Sequence, residues 1–215
     1  DKFRPFFQSE KIYDPNIKLS DVHGKNGVGR LTFFTFASLA TWTTVYCQDD
    51  KNFEYTISIE ANELNRYNPN SPIVVEKPTG TTVEFINVDS DELTISSIKE
   101  QLCKEFCWYL ELNEEKDYKI VFNGEKLDYS HLILEKETVK VQKDGIRPPY
   151  DVKFICWASK LTEYSKYYYI DSSGNEKQKE NTTYNNKGDS FYHSVYIKSS
   201  LFERFDFNSN SENEQ

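Results

Sequence analysis

Methionine is absent from all 215 residues, and the chain begins at Asp1. A sequence with neither an initiator nor an internal methionine is expected to be a piece of a longer protein. No stretch approaches the run of about 20 apolar residues that a bilayer-spanning helix needs, so no membrane segment is expected. No basic segment leads into an apolar one near the start, so a secretory leader is not expected either. Positive charge is in short supply, with 26 Lys and Arg against 35 Asp and Glu, a formal net charge of −9. That balance argues against a broad electrostatic grip on nucleic acid. Cysteine is scarce too. Cys47, Cys103, Cys107 and Cys156 all lie among apolar neighbours, and the expectation is that they are buried and reduced, as in a cytoplasmic protein. Cys103 and Cys107 have the spacing of one helix face but no second Cys or His pair to complete a ligand set, so no metal site is expected.

Aromatic residues, in contrast, are plentiful: 15 Phe and 15 Tyr within a hydrophobic fraction of 37%. That is enough for a packed core. Residues 1–23 read as a long loop. The apolar run after Gly29 predicts a helix through Leu39 that is buried on most sides. Thr41–Cys47 and Phe53–Ile59 then alternate with strand period around an Asp49-Asp50 turn, which predicts a hairpin with Phe53, Tyr55, Ile57 and Ile59 on one face. Thr81–Val88 is a further strand, with Val83 and Phe85 sharing a face. Ile95, Ile98, Leu102, Phe106 and Tyr109 predict a helix over Thr94–Leu112, capped at Thr94 or through the box Ser97-Ile98-Lys99-Glu100.

Beyond it the chain is strand-rich. Asn123-Gly124 predicts a tight hairpin, because both residues tolerate the positive φ that such a turn requires. Val152–Trp157, Tyr167–Ile170 and Phe191–Ile197 read as strands, with turns at Ser173-Gly174 and Lys187-Gly188. A short amphipathic helix is expected near Ser200–Phe205, and a disordered polar tail over 208–215. The domain organisation expected is 1–93, then 94–207, then the tail.

The most informative stretch is Gly24-Lys25-Asn26-Gly27-Val28-Gly29-Arg30. Glycines let another molecule approach the main chain closely. A helix starting directly after them offers free N–H groups and the positive end of its dipole. Together these can cradle phosphate oxygens, with Lys25 and Arg30 adding charge; the competing reading is a tight turn into a buried helix. Neither a P-loop nor a Rossmann fingerprint fits, since Gly29 is followed by Arg30-Leu31 and the order is G-x-x-G-x-G after a loop.

That order resembles the second glycine box of the GHKL ATPases, the group containing DNA gyrase B subunits, MutL repair proteins, sensor histidine kinases and the ninety-kilodalton heat-shock chaperones. Two further stretches look like the family, in the right order. Phe6-Phe7-Gln8-Ser9-Glu10-Lys11 resembles its short lid segment. Thr79-Gly80-Thr81-Thr82-Val83-Glu84-Phe85 resembles its Gly-Thr-x-Val strand, whose threonine lies near the adenine. Residues 95–207, with Ile120-Val121-Phe122-Asn123-Gly124-Glu125-Lys126-Leu127 after a helix, look like the transducer domain of gyrase B and MutL.

The resemblance implies an α+β chain: part of a Bergerat-type α/β sandwich followed by a strand-rich, ribosomal-protein-like transducer domain. It implies ATP with Mg as cofactor. Gly24, Lys25, Asn26, Gly27, Val28, Gly29 and Arg30 would hold the phosphates and Thr81 would lie near the base, with a homodimer possible in the intact protein. The family's catalytic glutamate, its magnesium-binding asparagine and its Asp-x-Gly-x-Gly segment do not occur before Gly24. No catalytic residue is therefore assigned, and the magnesium ligand is expected upstream; the chain alone is not expected to hydrolyse ATP.

In related transducers a loop lysine reaches the γ-phosphate, and Lys160 and Lys166 are the positions considered; a solvated loop lysine is the plainer reading of both. Asp151, Glu163 and Asp189 read as surface residues, and His23 as a loop residue. His131 and His193 lack partners for a metal site, and Ser194 beside His193 makes no triad, because neighbours on a strand face opposite ways. The alternative to the nucleotide reading is a non-enzymatic interaction module whose glycines form a structural turn.

Overall fold

A computed structural model describes residues 29–64, 66, 68–89, 94–142, 148–184 and 190–204. The chain divides into two compact units, whose described parts are 29–89 and 94–204. The architecture is α+β, with one α-helix among the described residues. That helix is not apolar enough to cross a membrane. The expected lid (Phe6–Lys11), residues Gly24–Val28, the turn at Lys187-Gly188, Asp189, His23 and the tail all lie outside the described residues.

The first unit is a five-stranded antiparallel sheet. Strand β1 (Ala37–Gln48) pairs with β2 (Lys51–Glu60) on one side and β5 (Gly80–Val88) on the other. Two short strands, β3 (Asn68–Pro69) and β4 (Ile73–Val75), border β2. The helix expected over 29–39 is corrected here: a 3-10 helix covers Gly29–Thr35, and β1 already begins at Ala37. Of the run Leu-Thr-Phe-Phe-Thr-Phe, five of the six residues are aromatic or β-branched. Such side chains lose rotamer freedom in an α-helix and pack well on a pleated surface, so the strand takes over after two tight turns.

Alternation along the strands defines the faces. Ala40, Ile59 and Phe85 form one row across the sheet, Trp42, Ile57 and Val83 the next, and Thr44, Tyr55 and Thr81 the third. Phe33 of the 3-10 helix folds back over this face, edge-on to Trp42 with ring centres 5.9 Å apart and stacked on Phe85 at 6.4 Å. The buried core is Phe33, Ala37, Ala40, Ile57 and Ile59. The opposite face carries hydroxyl pairs, Thr41 with Ser58 and Thr43 with Thr56, each at 3.1 Å.

The second unit sets helix α1 (Ile95–Leu112) against a mixed sheet of β8 (Ile133–Val141), β9 (Tyr150–Trp157), β10 (Lys166–Ile170), β11 (Glu176–Asn181) and β12 (His193–Lys198), in the order β11-β10-β12-β9-β8. Only β10 and β12 run parallel. Two-residue strands β6 (Val121–Phe122) and β7 (Glu125–Lys126) flank the Asn123-Gly124 turn. Thr94 caps α1, accepting from the Ser97 amide at 3.2 Å, so the capping is Thr-x-x-Ser and Ser97 lies inside the helix.

The helix face is also corrected. Cys103, Cys107 and Leu110 are buried while Ile95 is exposed, which rotates the expected stripe by one residue, or 100°. The reason is volume. Cysteine at the closest approach leaves room for Trp108, Tyr168 and Tyr196, whose rings stack at 5.6 and 5.1 Å. The last element among the described residues is a 3-10 helix at Ser200–Glu203.

Candidate functional site

Of the expected phosphate-binding residues, Gly29 and Arg30 open the 3-10 helix; Gly24, Lys25, Asn26, Gly27 and Val28 lie outside the described residues. Thr81 is the second residue of β5 and exposed, and its hydroxyl oxygen is 3.0 Å from that of Thr44. Both are on the face that carries Trp42, Val83 and Tyr55. Tyr55 in turn meets Tyr46 edge-on at 6.0 Å, and Tyr46 stacks on Phe53 at 5.8 Å. The result is a partly exposed aromatic and aliphatic face with two adjacent hydroxyls. Such a surface fits a planar heterocycle: the rings and Val83 supply apolar contact, and the hydroxyls donate to and accept from its edge. Among the described residues no group of three or more His, Cys, Asp or Glu is placed to hold a metal ion.

The remaining candidates separate. Lys166 forms an ion pair with Glu163, which also meets Lys179 at 3.8 Å, so Lys166 is committed within its own loop. Lys160 is exposed, and Asp151 pairs with Lys140 at 3.5 Å. His131 Nε2 is 2.9 Å from Glu100. His193 is buried, with Nδ1 3.1 Å from the Phe191 carbonyl, and Ser194 accepts from the Trp157 indole at 2.9 Å. Serine and histidine are thus engaged separately, and no triad forms.

The four cysteines are unbonded, but the expectation that all are buried holds only for Cys103 and Cys107. Cys156 is half-buried, and Cys47, at the end of β1 opposite Asn52, is exposed. Burial pushes the Cys107 thiol up to about 12, which keeps it protonated and unreactive at neutral pH.

Sequence reading missed a charged cluster at the end of α1. Glu111 is only 5% exposed; it accepts from Lys136 at 2.8 Å and Lys153 at 3.1 Å, and its carbonyl accepts from Lys153 at 2.5 Å. Lys153 also reaches Glu114 at 2.9 Å and lies 4.9 Å over the Tyr196 ring. Lys198 binds both oxygens of Glu115 at 2.6 Å. Hydrogen bonding and charge from Lys153, reinforced by Lys136, hold the Glu114 carboxyl below the usual carboxylate range against the burial that opposes this. A cavity of about 190 Å³ lies among these residues.

A signal for the cluster was present in Glu111-Leu112-Asn113-Glu114-Glu115. Acidic residues at a helix C-terminus oppose the helix dipole, so their presence there calls for cations from elsewhere in the fold. Every one of the cluster's lysines is neutralised, so its role is to tie the helix end to β8, β9 and β12.

No protein-family model matches the chain, and no curated protein matches it. Among solved structures it is similar to the ATPase region of Saccharomyces cerevisiae topoisomerase II, at 12% identity and a TM-score of 0.44, covering 91% of this chain and 57% of that one. It is also similar to the ATPase and transducer domains of DNA topoisomerase II from Balamuthia mandrillaris, at 15% identity and a TM-score of 0.41, covering 91% and 56%. This chain therefore spans less than two thirds of those chains.

Proposed function

We propose that the chain is part of a GHKL-type ATP-binding protein. In this reading the main-chain amides of residues 24–30 hold the phosphates, Thr81 and Thr44 meet the edge of the adenine, and residues 95–207 relay the nucleotide state to a partner or a second subunit. The observation that carries the reading is the Thr44–Thr81 hydroxyl pair on a partly exposed aromatic face, on a sheet whose first strand follows the three-glycine box in sequence. Magnesium would come with the nucleotide and supply charge neutralisation of the phosphates. This chain's own contribution is binding: amides for the triphosphate, hydroxyls for the base, and Trp42, Tyr55 and Val83 to exclude water from one side of the ring. The behaviour expected is that of a switch, with nucleotide biasing a conformational equilibrium.

The test is thermal melting of the protein with and without ATP and magnesium, beside the variants Gly27→Val and Thr81→Val. Nucleotide at 100 times its Kd stabilises by about 2.7 kcal/mol, a rise of roughly 5–10 °C for a chain of this size. The variants should lose most of that rise while melting unchanged in its absence. An equal rise in all three proteins ends the assignment.

A further inference from the structure

The two sheets treat their edges differently. In the second unit the outer strands are guarded by charge: β8 carries Glu135, Lys136, Glu137 and Lys140, and β11 carries Glu176, Lys177, Lys179 and Glu180. Mixed charge on an outer strand deters pairing with other chains. Strand β5, at the outer edge of the first sheet, reads Gly-Thr-Thr-Val-Glu-Phe-Ile-Asn-Val, and all nine residues are exposed. Its single charge is Glu84, which makes no ion pair among the described residues. β5 is rich in β-branched and aromatic residues, and its outer backbone groups have no partner strand among the described residues.

The usable edge has a defined end. Asn87 is left-handed, with φ of 53°. Its amide donates to Ser38 Oγ at 3.0 Å, and that hydroxyl donates to the Ile86 carbonyl at 3.3 Å. The extended edge is thus Gly80–Ile86, about 23 Å of strand. Val83 and Phe85 share the apolar face, where Phe85 meets Phe36 edge-on at 5.1 Å. Thr82, Glu84 and Ile86 point the other way.

Glu84 decides what can pair here. A second copy of β5, antiparallel, matches the apolar face only in the register that sets Val83 opposite Phe85 of the copy. That register sets Glu84 directly opposite Glu84, which is destabilising. Slipping by two residues relieves the repulsion but sets Phe85 against Thr81, or Val83 against Asn87. The net charge of −9 adds to the repulsion between copies. We propose that Gly80–Ile86 is a strand-addition site for an extended segment of another protein, one that places Lys or Arg opposite Glu84 between two apolar residues lying on Val83 and Phe85. Main-chain hydrogen bonds would supply the affinity, and the charge pair would set the register and reject self-pairing.

The probes are two nine-residue peptides of alternating threonine and valine, Thr at both ends, with either lysine or glutamate at the centre. Amide hydrogen exchange locates binding and titration measures it. The lysine peptide should slow exchange within residues 80–86 and bind roughly tenfold more tightly than the glutamate peptide. Glu84→Lys, at an exposed position, should reverse that preference. In sedimentation the unaltered protein should not associate through β5, whereas Glu84→Thr should. Equal affinity for the two peptides, protection confined to another part of the chain, or self-association of the unaltered protein with protection of β5 would each overturn the proposal.

Discussion

The second unit buries a large aromatic core beneath a helix; the first buries a smaller core and leaves the outer strand of its sheet exposed. In the second, α1 covers the sheet, three aromatic rings stack through the middle, and the buried acid at the helix end is matched by lysines from β8 and β9. In the first, a seven-residue 3-10 helix covers one end of the sheet face, and Val83 and Phe85 stay 43% and 41% exposed. Exposed apolar side chains occur in both units, Leu134 of β8 among them at 69%, but β8 interleaves them with four charges whereas β5 carries one. The strand-addition proposal falls on the first unit for that reason.

The sharpest break in this comparison is aromatic truncation. Tyr168 is fully buried between Trp108 and Tyr196, so Tyr168→Ala should cost the second unit about 3–5 kcal/mol. Phe85→Ala, on the open face, should cost the first unit roughly 1–2 kcal/mol. Urea unfolding followed by hydrogen exchange in each unit reads both losses separately. If the two substitutions cost the same, the first unit is packed as tightly as the second and the distinction falls.

Charge pairs sharpen the same contrast at a smaller scale. Lys153→Met leaves the buried Glu111 with Lys136 and the Tyr129 hydroxyl and removes a partner of Glu114; a loss of about 2–3 kcal/mol is expected. Lys77 pairs with Glu54 at 2.7 Å in the first unit but is 61% exposed, so Lys77→Met should cost less than about 1 kcal/mol. The acid limb separates them further. Glu114 titrates lower when folded than its ordinary value of 4.5. Its contribution is therefore complete above pH 4.5 and fades as pH falls through the folded value. Stability of the unaltered protein should decline below pH 4.5, and that decline should shrink in Lys153→Met but persist in Lys77→Met. An unchanged acid limb in Lys153→Met would remove the lysine from the account of Glu114.

Period and turn chemistry make much of this legible in the sequence. Alternation over Thr41–Cys47, Phe53–Ile59 and Thr81–Val88 marks β1, β2 and β5, and Thr94 marks the start of α1, because these signals are local. The strands β8 and β11 were not legible: Ile-Leu-Glu-Lys-Glu-Thr-Val-Lys-Val and Glu-Lys-Gln-Lys-Glu-Asn have the composition of a solvated segment, and only pairing with β9 and β10 makes them strands. The same holds for the helix expected at Gly29–Leu39, where apolar density suggested burial on most sides and aromatic crowding decided for a short 3-10 helix followed by a strand. Thr81 was singled out through a motif resemblance. Its neighbour Thr44, 37 positions away, needed the β1–β5 register, and the meeting of Glu111 with Lys153 needed the packing of α1 against β9.

Both units solve one identical local problem, the two-residue hairpin, and the smallest prediction compares their solutions. In the second unit the turn is Asn123-Gly124, with φ of 51° and 85°; in the first it is Asp49-Asp50, with φ of 50° and 59°. Glycine is at ease in that region, whereas aspartate with its Cβ is strained there. Nothing lies within 4 Å of where a Cβ on Gly124 would sit, so Gly124→Ala tests backbone strain alone and should cost about 1 kcal/mol. Asp50→Gly relieves the same strain in the other hairpin, offset by the greater freedom of glycine when unfolded, and should stabilise by about 0.5 kcal/mol. The opposite signs are the point. If Asp50→Gly destabilises as much as Gly124→Ala, the acidic turn of the first unit is held by something other than its main-chain geometry, and its two aspartates belong among the residues that receive a partner.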